Sequence, residues 1–331
     1  MAEKNKGHRL KVLLQLTKRH LMVFYKNKVR LMYTLLVPVI IFAVYLLFLR
    51  GLELSVVSDV LSDPQYSLPK EIIDDERLFK HIQTLVDSWM LSGIIGLSTI
   101  TVALQTNTVF VEDKQNGVNR DFASSPIHRN VLIASYFLYN FIVSALICLA
   151  FLAVCFIYLA VVGEFVLSFA GVLTILAVMF FSTVASTLMT VFICSFVKTE
   201  GTMMSIVAIF STAVGFLIGA YMPLGMMGWV QNVCAFIPGT YACSLLRYAF
   251  MQTPLTQLTA YAQSVGIEQQ VIDSLSGNFG YNLNFFGVQV NPQWQTLALS
   301  VYIVIFLALN FVAGKKLSEV LGIGRKKRAS K

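Results

Sequence analysis

Residues 111–131 read VEDKQNGVNRDFASSPIHRNV, a polar stretch between two apolar runs that are each long enough to cross a bilayer. A loop that only reverses the chain could be about four residues long. This stretch has room for a helix of about ten residues, roughly 15 Å in length. Ser125-Pro126 would end that helix, because the residue before proline is disfavoured in the α region. We predict a short docking helix at the membrane face, with the charged residues Glu112, Asp113, Lys114, Arg120, Asp121 and Arg129 in and around it.

The composition indicates a membrane protein. The chain has 331 residues, of which 56% are hydrophobic and 13% are charged, whereas soluble domains carry about 25% charged residues. Its mean hydropathy is +0.71. Six uncharged runs approach or exceed the length of about 20 residues that a spanning helix needs. The predicted fold is one all-α polytopic domain over residues 1–331, with spans at 31–49, 88–111, 131–162, 165–197, 202–222 and 296–314.

The distribution of charge predicts the orientation. One set of segments holds 20 basic and six acidic residues, whereas the rest of the chain holds five and eleven. An excess of Lys and Arg marks the cytoplasmic side. The basic set comprises residues 1–30, 111–130 and 315–331, with Lys198 and Glu200.

This pattern predicts a multi-pass cell-membrane protein with both termini in the cytosol. The loop 112–130 is then cytoplasmic, and the segments 50–87 and 223–295 are extracellular. Because the first thirty residues are basic and broken by charges, we expect no cleavable signal peptide. Basic tails also suit nucleic acid, but their arrangement around the spans favours a protein without a nucleic-acid partner.

The pattern of apolar and basic residues over 9–28 predicts an amphipathic helix that lies in the headgroup layer. Its basic face suits anionic lipid, and packing on a soluble partner is the alternative. At about 100° per residue, the apolar face comprises Leu10, Leu13, Leu14, Leu21, Phe24 and Tyr25. The basic face comprises Lys11, Lys18, Arg19 and Lys26.

The segment between the last two spans is apolar but broken. It starts at Pro223, is interrupted at Pro238-Gly239 and contains Arg247. A seventh span here would carry the basic C-terminus outside, against the charge rule. We predict two short re-entrant helices that dip into the outer leaflet, then an amphipathic helix over 255–275 and an aromatic, turn-rich loop.

Two features leave alternatives open. Gln105 and Asn107 in the second span and Asn140 in the third could face a transport pathway, or could hydrogen-bond neighbouring helices as polar side chains in spans commonly do. Cys234 and Cys243 fall outside the membrane on this topology, so a disulfide between them is one alternative and two free thiols are the other.

The chain lacks the motifs of an energy source. No GxxxxGK[ST] sequence occurs, so we expect no phosphate-binding loop. The four histidines lack metal-ligand spacing, so no metal site is expected. The predicted spans contain no Asp, Glu, Lys, Arg or His, which an ion-coupled carrier or a membrane-embedded hydrolase would need. We predict that the chain is not an enzyme, that it holds no cofactor and that it is energised from outside itself.

The order of these motifs resembles the type-2 permeases of ABC transporters, whose fold is shared with the eukaryotic sterol and drug half-transporters. In that family an acidic start, a glycine and a helix ending in Ser-Pro precede the third span. The residues that carry the resemblance here are Glu112, Gly117, Ser124-Ser125-Pro126-Ile127 with Arg129, Asp87-Ser88-Trp89, Tyr221-Met222-Pro223-Leu224, Phe236-Ile237-Pro238-Gly239-Thr240-Tyr241 and Leu246-Arg247.

The resemblance implies a partner and a mechanism. A separate ABC ATPase subunit would bind ATP and Mg²⁺ and dock on the loop 112–130, and a second permease copy or a paralogue would complete a dimer in membrane lipid. The coupling residues implied are Glu112, Gly117, Arg120, Asp121, Phe122, Ser125, Pro126 and Arg129. Those implied for the re-entrant outer segment are Pro223, Pro238, Gly239, Tyr241 and Arg247.

The long extracellular segments resemble a bacterial subgroup associated with drugs, antibiotics or toxins. Uncharged, aromatic-rich spans favour an amphipathic or lipid-like substrate, so we predict an ATP-driven exporter. In the docking helix we expect Arg120 and Asp121 to make polar contacts and Phe122 to act as the apolar anchor, with insertion of Phe122 into the headgroup layer as the alternative. The rival functions are a mechanotransmission partner of an ATPase without a transport pathway, and a membrane enzyme.

Overall fold

Fourteen α-helices and a two-stranded hairpin make up residues 2–62, 69–124, 127–162 and 166–320, which the computed structural model describes. The first part contains α1 (Ala2–Lys26), α2 (Lys28–Val44), a π-helical turn (Tyr45–Leu49), α3 (Arg50–Leu61), α4 (Lys70–Ile73), α5 (Glu76–Thr106), α6 (Thr108–Gln115), α7 (Val118–Ser124) and α8 (Arg129–Val162). The second part contains α9 (Phe169–Phe196), α10 (Glu200–Leu217), a 3-10 turn (Leu224–Met227), α11 (Val230–Cys234), α12 (Pro238–Ser264), α13 (Gln269–Asn278), β1 (Leu283–Phe285), β2 (Val288–Val290) and α14 (Pro292–Val320).

Six helical stretches in the described residues are long and apolar enough to cross a membrane. The first two are much longer than predicted, and they bring ionisable side chains into the bundle. Asp87, for example, is fully buried. These side chains lie in the parts of the helices that extend beyond the predicted spans, and charges paired inside the protein need not face lipid. The six stretches are Lys28–Leu61, Glu76–Gln115, Asn130–Val162, Phe169–Phe196, Glu200–Leu217 and Pro292–Ala313.

Helix α5 lies at the centre of the bundle. Its apolar window is entirely buried, and α2, α8, α9, α10 and α12 all pack on it. Two glycines permit this close approach. A Cβ atom on Gly93 would lie 2.7 Å from the carbonyl oxygen of Ala220, and one on Gly96 would lie 3.1 Å from the Cα atom of Cys243. Small residues at such crossings let helix backbones meet closely.

Helix α12 differs most from the prediction. Pro238 begins this helix instead of separating two short ones, because the first helical position needs no N–H hydrogen bond. The helix then runs for 27 residues through Pro254 to Ser264. It therefore includes the first part of the amphipathic helix predicted over 255–275, and α13 follows as a separate element. The short helix before it, α11, has five residues.

The predicted aromatic loop contains the β1–β2 hairpin. Its two turn residues, Phe286 and Gly287, have φ angles of 51° and 77°, and positive φ at both central positions is what a type I′ turn requires. The ring of Phe285 lies 6.0 Å from that of Tyr241 on α12, centroid to centroid. The hairpin is thereby fastened to α12.

Helix α1 packs on α8, and its packed face combines residues from both predicted faces, namely Phe24 from the apolar face and Arg19 from the basic one. Leu10 and Leu14, placed on the apolar face, remain 56% and 54% exposed. Arg19, placed on the basic face, is hydrogen-bonded to Asp113 inside the protein. Polar anchors therefore set the rotation of the helix. Its buried side chains are Leu16, Thr17, His20 and Phe24.

All five cysteines of the chain are free and buried. Cys234 ends α11, and Cys243 lies in α12 against Gly96. Cys234 and Cys243 are therefore two free thiols and do not form a disulfide in the structure.

The close crossing at Gly93 makes a prediction about stability. Gly93→Ala should lower the thermal unfolding temperature of the purified protein in detergent, because the new methyl group displaces backbone at Ala220, and overpacking of this kind costs about 1–3 kcal/mol. Gly51→Ala is the matched control, since a Cβ at Gly51 meets nothing within 4 Å. It should be neutral or stabilising by up to about 1 kcal/mol. Equal effects of the two changes would contradict this account of the crossing.

Candidate functional site

The polar loop between the second and third spans contains two helices. Helix α6 continues α5 after one intervening residue, and Gly117, with a φ of 75°, lies in the left-handed region just after α6. A left-handed glycine commonly ends a helix, because it has no Cβ penalty there. The docking helix, α7, then spans seven residues. It is shorter than the predicted ten because residues 112–115 belong to α6.

Two acidic residues of α6 bind three other helices. Glu112 Oε2 accepts a hydrogen bond from Arg30 Nη2 of α2 at 2.5 Å. Asp113 is buried and accepts from both Nη atoms of Arg19 on α1, at 2.5 and 2.8 Å. Tyr136 of α8 donates its hydroxyl to the same carboxylate at 2.6 Å. These bonds to Asp113 raise the pKa of Arg19, and the bidentate contact fixes the geometry of α1.

The next two residues of α6 cap two further helices. Gln115 Oε1 accepts from the backbone N–H of Glu200 at the start of α10, at 2.6 Å. Lys114 stabilises the end of α9, where helix carbonyls lack partners and the macrodipole favours a cation. Its Nζ atom donates to three carbonyl oxygens, those of Cys194 at 2.7 Å, Ser195 at 2.8 Å and Val197 at 3.1 Å.

Four consecutive side chains, Glu112 to Gln115, thus connect α6 to α1, α2, α8, α9 and α10. We call this set of four the α6 hub. Any displacement of α6 must move five helices or break these bonds. The sequence reasoning assigned Glu112 to the loop but missed the partners of the hub, because Arg19 and Gln115 lie 94 and 85 residues from the groups they bind and no local pattern pairs them.

His20 reinforces the contact between α1 and α8. Its ring stacks on that of Tyr136 with centroids 4.1 Å apart, and its Nε2 lies 3.2 Å from Ser135 Oγ. Burial lowers the pKa of His20 to about 4, so the imidazole is neutral near pH 7. The histidine therefore adds packing, one hydrogen bond to α8 and one to Arg19 beside Asp113 without adding charge.

Helix α7 presents a mixed surface. Asp121 and Ser124 are exposed and Phe122 is half-buried. The guanidinium of Arg19 lies 5.5 Å from the centre of the Phe122 ring, so the same arginine touches both the hub and the docking helix. The remaining predicted coupling groups, namely the side chains of Arg120 and Arg129 and the residues Ser125 and Pro126, lie outside what the structure describes.

The predicted pathway amides lie inside the bundle. Asn107 Nδ2 donates to Thr190 Oγ1 of α9 at 2.9 Å, and Asn140 Nδ2 donates to the carbonyl of Ala103 on α5 at 2.7 Å. Both asparagines are fully buried, and Gln105 is 8% exposed. Asn107 and Asn140 therefore make the interhelical bonds of the second alternative.

Residues of the predicted outer segment surround the connection from α10 to α12. Gly239 packs beside Ile100 of α5, and Tyr241 donates its hydroxyl to the carbonyl of Ala235 at 2.8 Å. Arg247 is buried and donates to the carbonyl of Gly219 at 2.5 Å. Pro223 precedes the 3-10 turn, and Pro238 begins α12.

Six potential spans, one of them buried among the others and most of them joined at one end by a polar hub, indicate a multi-pass membrane domain. The model of the ABC-2 type transporter family matches residues 11–251, which is most of the chain, and the protein belongs to this family. It is accordingly the transmembrane component of an ABC transporter, a permease without the ATPase site that works with an ABC ATPase subunit. A comparison with curated proteins finds no match.

The hub predicts that its two acidic residues contribute unequally to the stability of the protein. Asp113→Asn should destabilise the protein by about 3 kcal/mol, because it removes the charge of a buried carboxylate that accepts three hydrogen bonds. Glu112→Gln, the matched change at the adjacent residue, should cost about 1 kcal/mol, since the Glu112 side chain is 32% exposed and the Asp113 side chain is 6% exposed. Thermal unfolding in detergent measures both, and a larger loss for Glu112→Gln would contradict this account.

Proposed function

We propose that the protein is the membrane subunit of an ATP-driven exporter that moves an amphipathic or hydrophobic substrate, such as a drug, antibiotic, toxin or lipid-like molecule, out of a bacterial cell. The observation that carries the proposal is the α6 hub, which ties a docking helix to five helices. The charge distribution supports an orientation with the hub and both termini in the cytosol. Membrane lipid surrounds the spans.

The coupling begins at α7. A separate ATPase subunit binds ATP and Mg²⁺, and its closure displaces α7, where Phe122 anchors the contact and Arg120 and Asp121 lie at its rim. Aromatic anchors contribute more to such contacts than charges at the rim. Arg19 follows the movement because it contacts both Phe122 and Asp113. The remaining coupling positions, Gly117, Ser125, Pro126 and Arg129, shape the two ends of the docking helix.

The movement then reaches the spans through α6. Because α6 continues α5, displacement of the docking helix acts on the central helix directly. Lys114 and Gln115 pass the same displacement to the end of α9 and the start of α10. These contacts are short hydrogen bonds from side chains of α6 to backbone groups, so displacement of α6 acts on the backbones of α9 and α10.

A second copy or a paralogue completes the transporter. The exposed face of α10 supports this, because it carries small and hydroxyl side chains, which are typical of helix–helix contacts in membranes, beside the apolar Met204, Ile209 and Phe216. By contrast, the exposed face of α2 carries Val39, Ile40 and Leu36, which suit lipid. The exposed positions on α10 include Thr202, Ser205, Ala208, Thr212 and Ala213.

The outer segment is re-entrant on this proposal. The first turn of α12 packs beside Ile100, near the middle of the second span predicted over 88–111, and α12 then runs back along α5 until Tyr261 reaches Asp75. A helix that starts at this depth supports a segment that enters the outer leaflet and returns. Contacts with α5 and α10 shield the backbone at its start.

Retention of the ATPase tests the coupling role of α7. Phe122→Ala should reduce the amount of ATPase that copurifies with the permease and should abolish export, because loss of a buried aromatic anchor costs about 2 kcal/mol or more, roughly thirtyfold in affinity. Arg120→Ala is the control at the rim and should have the smaller effect. Full retention and normal export in Phe122→Ala would remove α7 as the coupling element and would favour insertion of Phe122 into the headgroup layer. Retention of the ATPase without any export by the wild type would favour a mechanotransmission partner.

Labelling from one side of the membrane tests the orientation. Single cysteines introduced at Asp59 and Gln269 should react with an impermeant maleimide added outside intact cells, whereas cysteines at Asn116 and Ser330 should react only after the cells are opened. Reaction of the Ser330 position from outside would mean an odd number of crossings and would overturn the re-entrant assignment.

A further inference from the structure

The first span contains a π-helical turn at Tyr45–Leu49. In an uninterrupted α-helix, side chains five residues apart point about 140° away from one another. The wider turn removes this divergence, and the side chains of Tyr45 and Arg50, at its two ends, both reach Asp87 on α5. Single π turns within α-helices occur frequently at functional sites. Here the turn serves to aim two donors at one carboxylate.

Asp87 collects donors from two neighbouring spans. Tyr45 donates its hydroxyl to Oδ1 at 2.5 Å, and Arg50 donates Nε to Oδ1 at 2.9 Å and Nη2 to Oδ2 at 3.3 Å. Tyr158 of α8 adds its hydroxyl at 3.3 Å. The aspartate is fully buried. An ionisable residue buried in a span is expensive to keep and commonly functional.

A buried arginine contacts the same part of α5. Arg247 of α12 lies over the ring of Trp89, two residues after Asp87, with 5.1 Å between the guanidinium carbon and the ring centroid. It donates to the carbonyl of Gly219, just past the end of α10, and its Nε atom is buried without a hydrogen-bond partner. The first span is therefore linked to α5 through Asp87, and α5 is linked through Trp89 and Arg247 to α12 and to the end of the fifth span.

We propose that Arg50, Asp87 and Arg247 form an outer latch, which holds the extracellular end of the permease closed and is released when α10 moves. The latch rests on the proposed transport function and orientation. Helix α10 is held at its start by Gln115 and just past its end by Arg247. A displacement that enters at the hub therefore acts along α10 on the contact between Arg247 and Gly219.

The chain contains its own reporter for the opening of the latch. Cys243 is buried one turn before Arg247 on α12, and its sulfur lies 3.9 Å from Arg247 Nη2. Cys194 is buried at the opposite end of the bundle, where its carbonyl binds Lys114. A variant that keeps Cys243 as its sole cysteine reports access from outside past the latch. A variant that keeps only Cys194 controls for leaky membranes and for unfolding.

The test measures the rate at which an impermeant maleimide, added outside sealed vesicles of known orientation, labels each cysteine in the complex with its ATPase. Tyr45→Phe and Arg50→Lys should each accelerate labelling of Cys243 by roughly tenfold, the size expected from loss of one hydrogen bond to a charged group. Neither change should accelerate labelling of Cys194. Tyr45→Phe removes a single hydroxyl, so it keeps the test valid if Arg50→Lys fails to fold.

Three outcomes would decide against the latch. Unchanged labelling of Cys243 in both variants would show that these contacts do not control access, and equal acceleration at Cys194 would show general loosening of the bundle. Labelling of Cys243 only from the cytosolic side would overturn the orientation as well. The readout needs no transported substrate, so the latch can fail while export is intact, and failure of export leaves the labelling result interpretable.

Discussion

A carboxylate buried in a protein must be paired, and the buried carboxylate of Asp113 sets the arrangement of the loop end of this permease. Arg19 supplies the countercharge from α1, and Tyr136 supplies a hydroxyl from α8. Three elements that are distant in sequence are thereby held in one geometry. The same requirement turns Arg19 of α1 towards Asp113, while Leu10 and Leu14 on the same helix stay exposed.

The other organising constraint is the need to satisfy backbone groups at helix ends. Lys114 binds carbonyls at the end of α9, and Gln115 binds an N–H at the start of α10. Arg247 binds the carbonyl of Gly219 just past the other end of α10. Side chains from α6 and α12 thus hold the fifth span at both ends. The same contacts that complete its hydrogen bonding can carry movement from the docking helix to the opposite face.

The sequence was sufficient to predict the all-α polytopic fold, since runs of about 20 apolar residues have few alternatives. The polar loop was also predictable, because Gly117 and its neighbouring charges interrupt those runs. The length of α12 was not predictable from the sequence. Pro238 reads equally well as a break or as a first helical residue, and contacts with Gly96 and Ile100 decide the outcome. Pairs such as Arg19 with Asp113 and Arg50 with Asp87 depend on how the helices assemble, and no local spacing encodes them.

The central claim is that α6 makes the docking helix and the start of the fifth span one rigid unit. The most direct measurement is the distance distribution between spin labels at Ser124 on α7 and Thr202 on α10, both exposed positions, placed on one permease copy within the complex with its ATPase. The account predicts the same narrow distribution without nucleotide and with ATP, and a broader one when Lys114→Met and Gln115→Ala remove the two caps. An ATP-induced shift of the wild-type distribution would contradict it, because the docking helix would then move independently of the span.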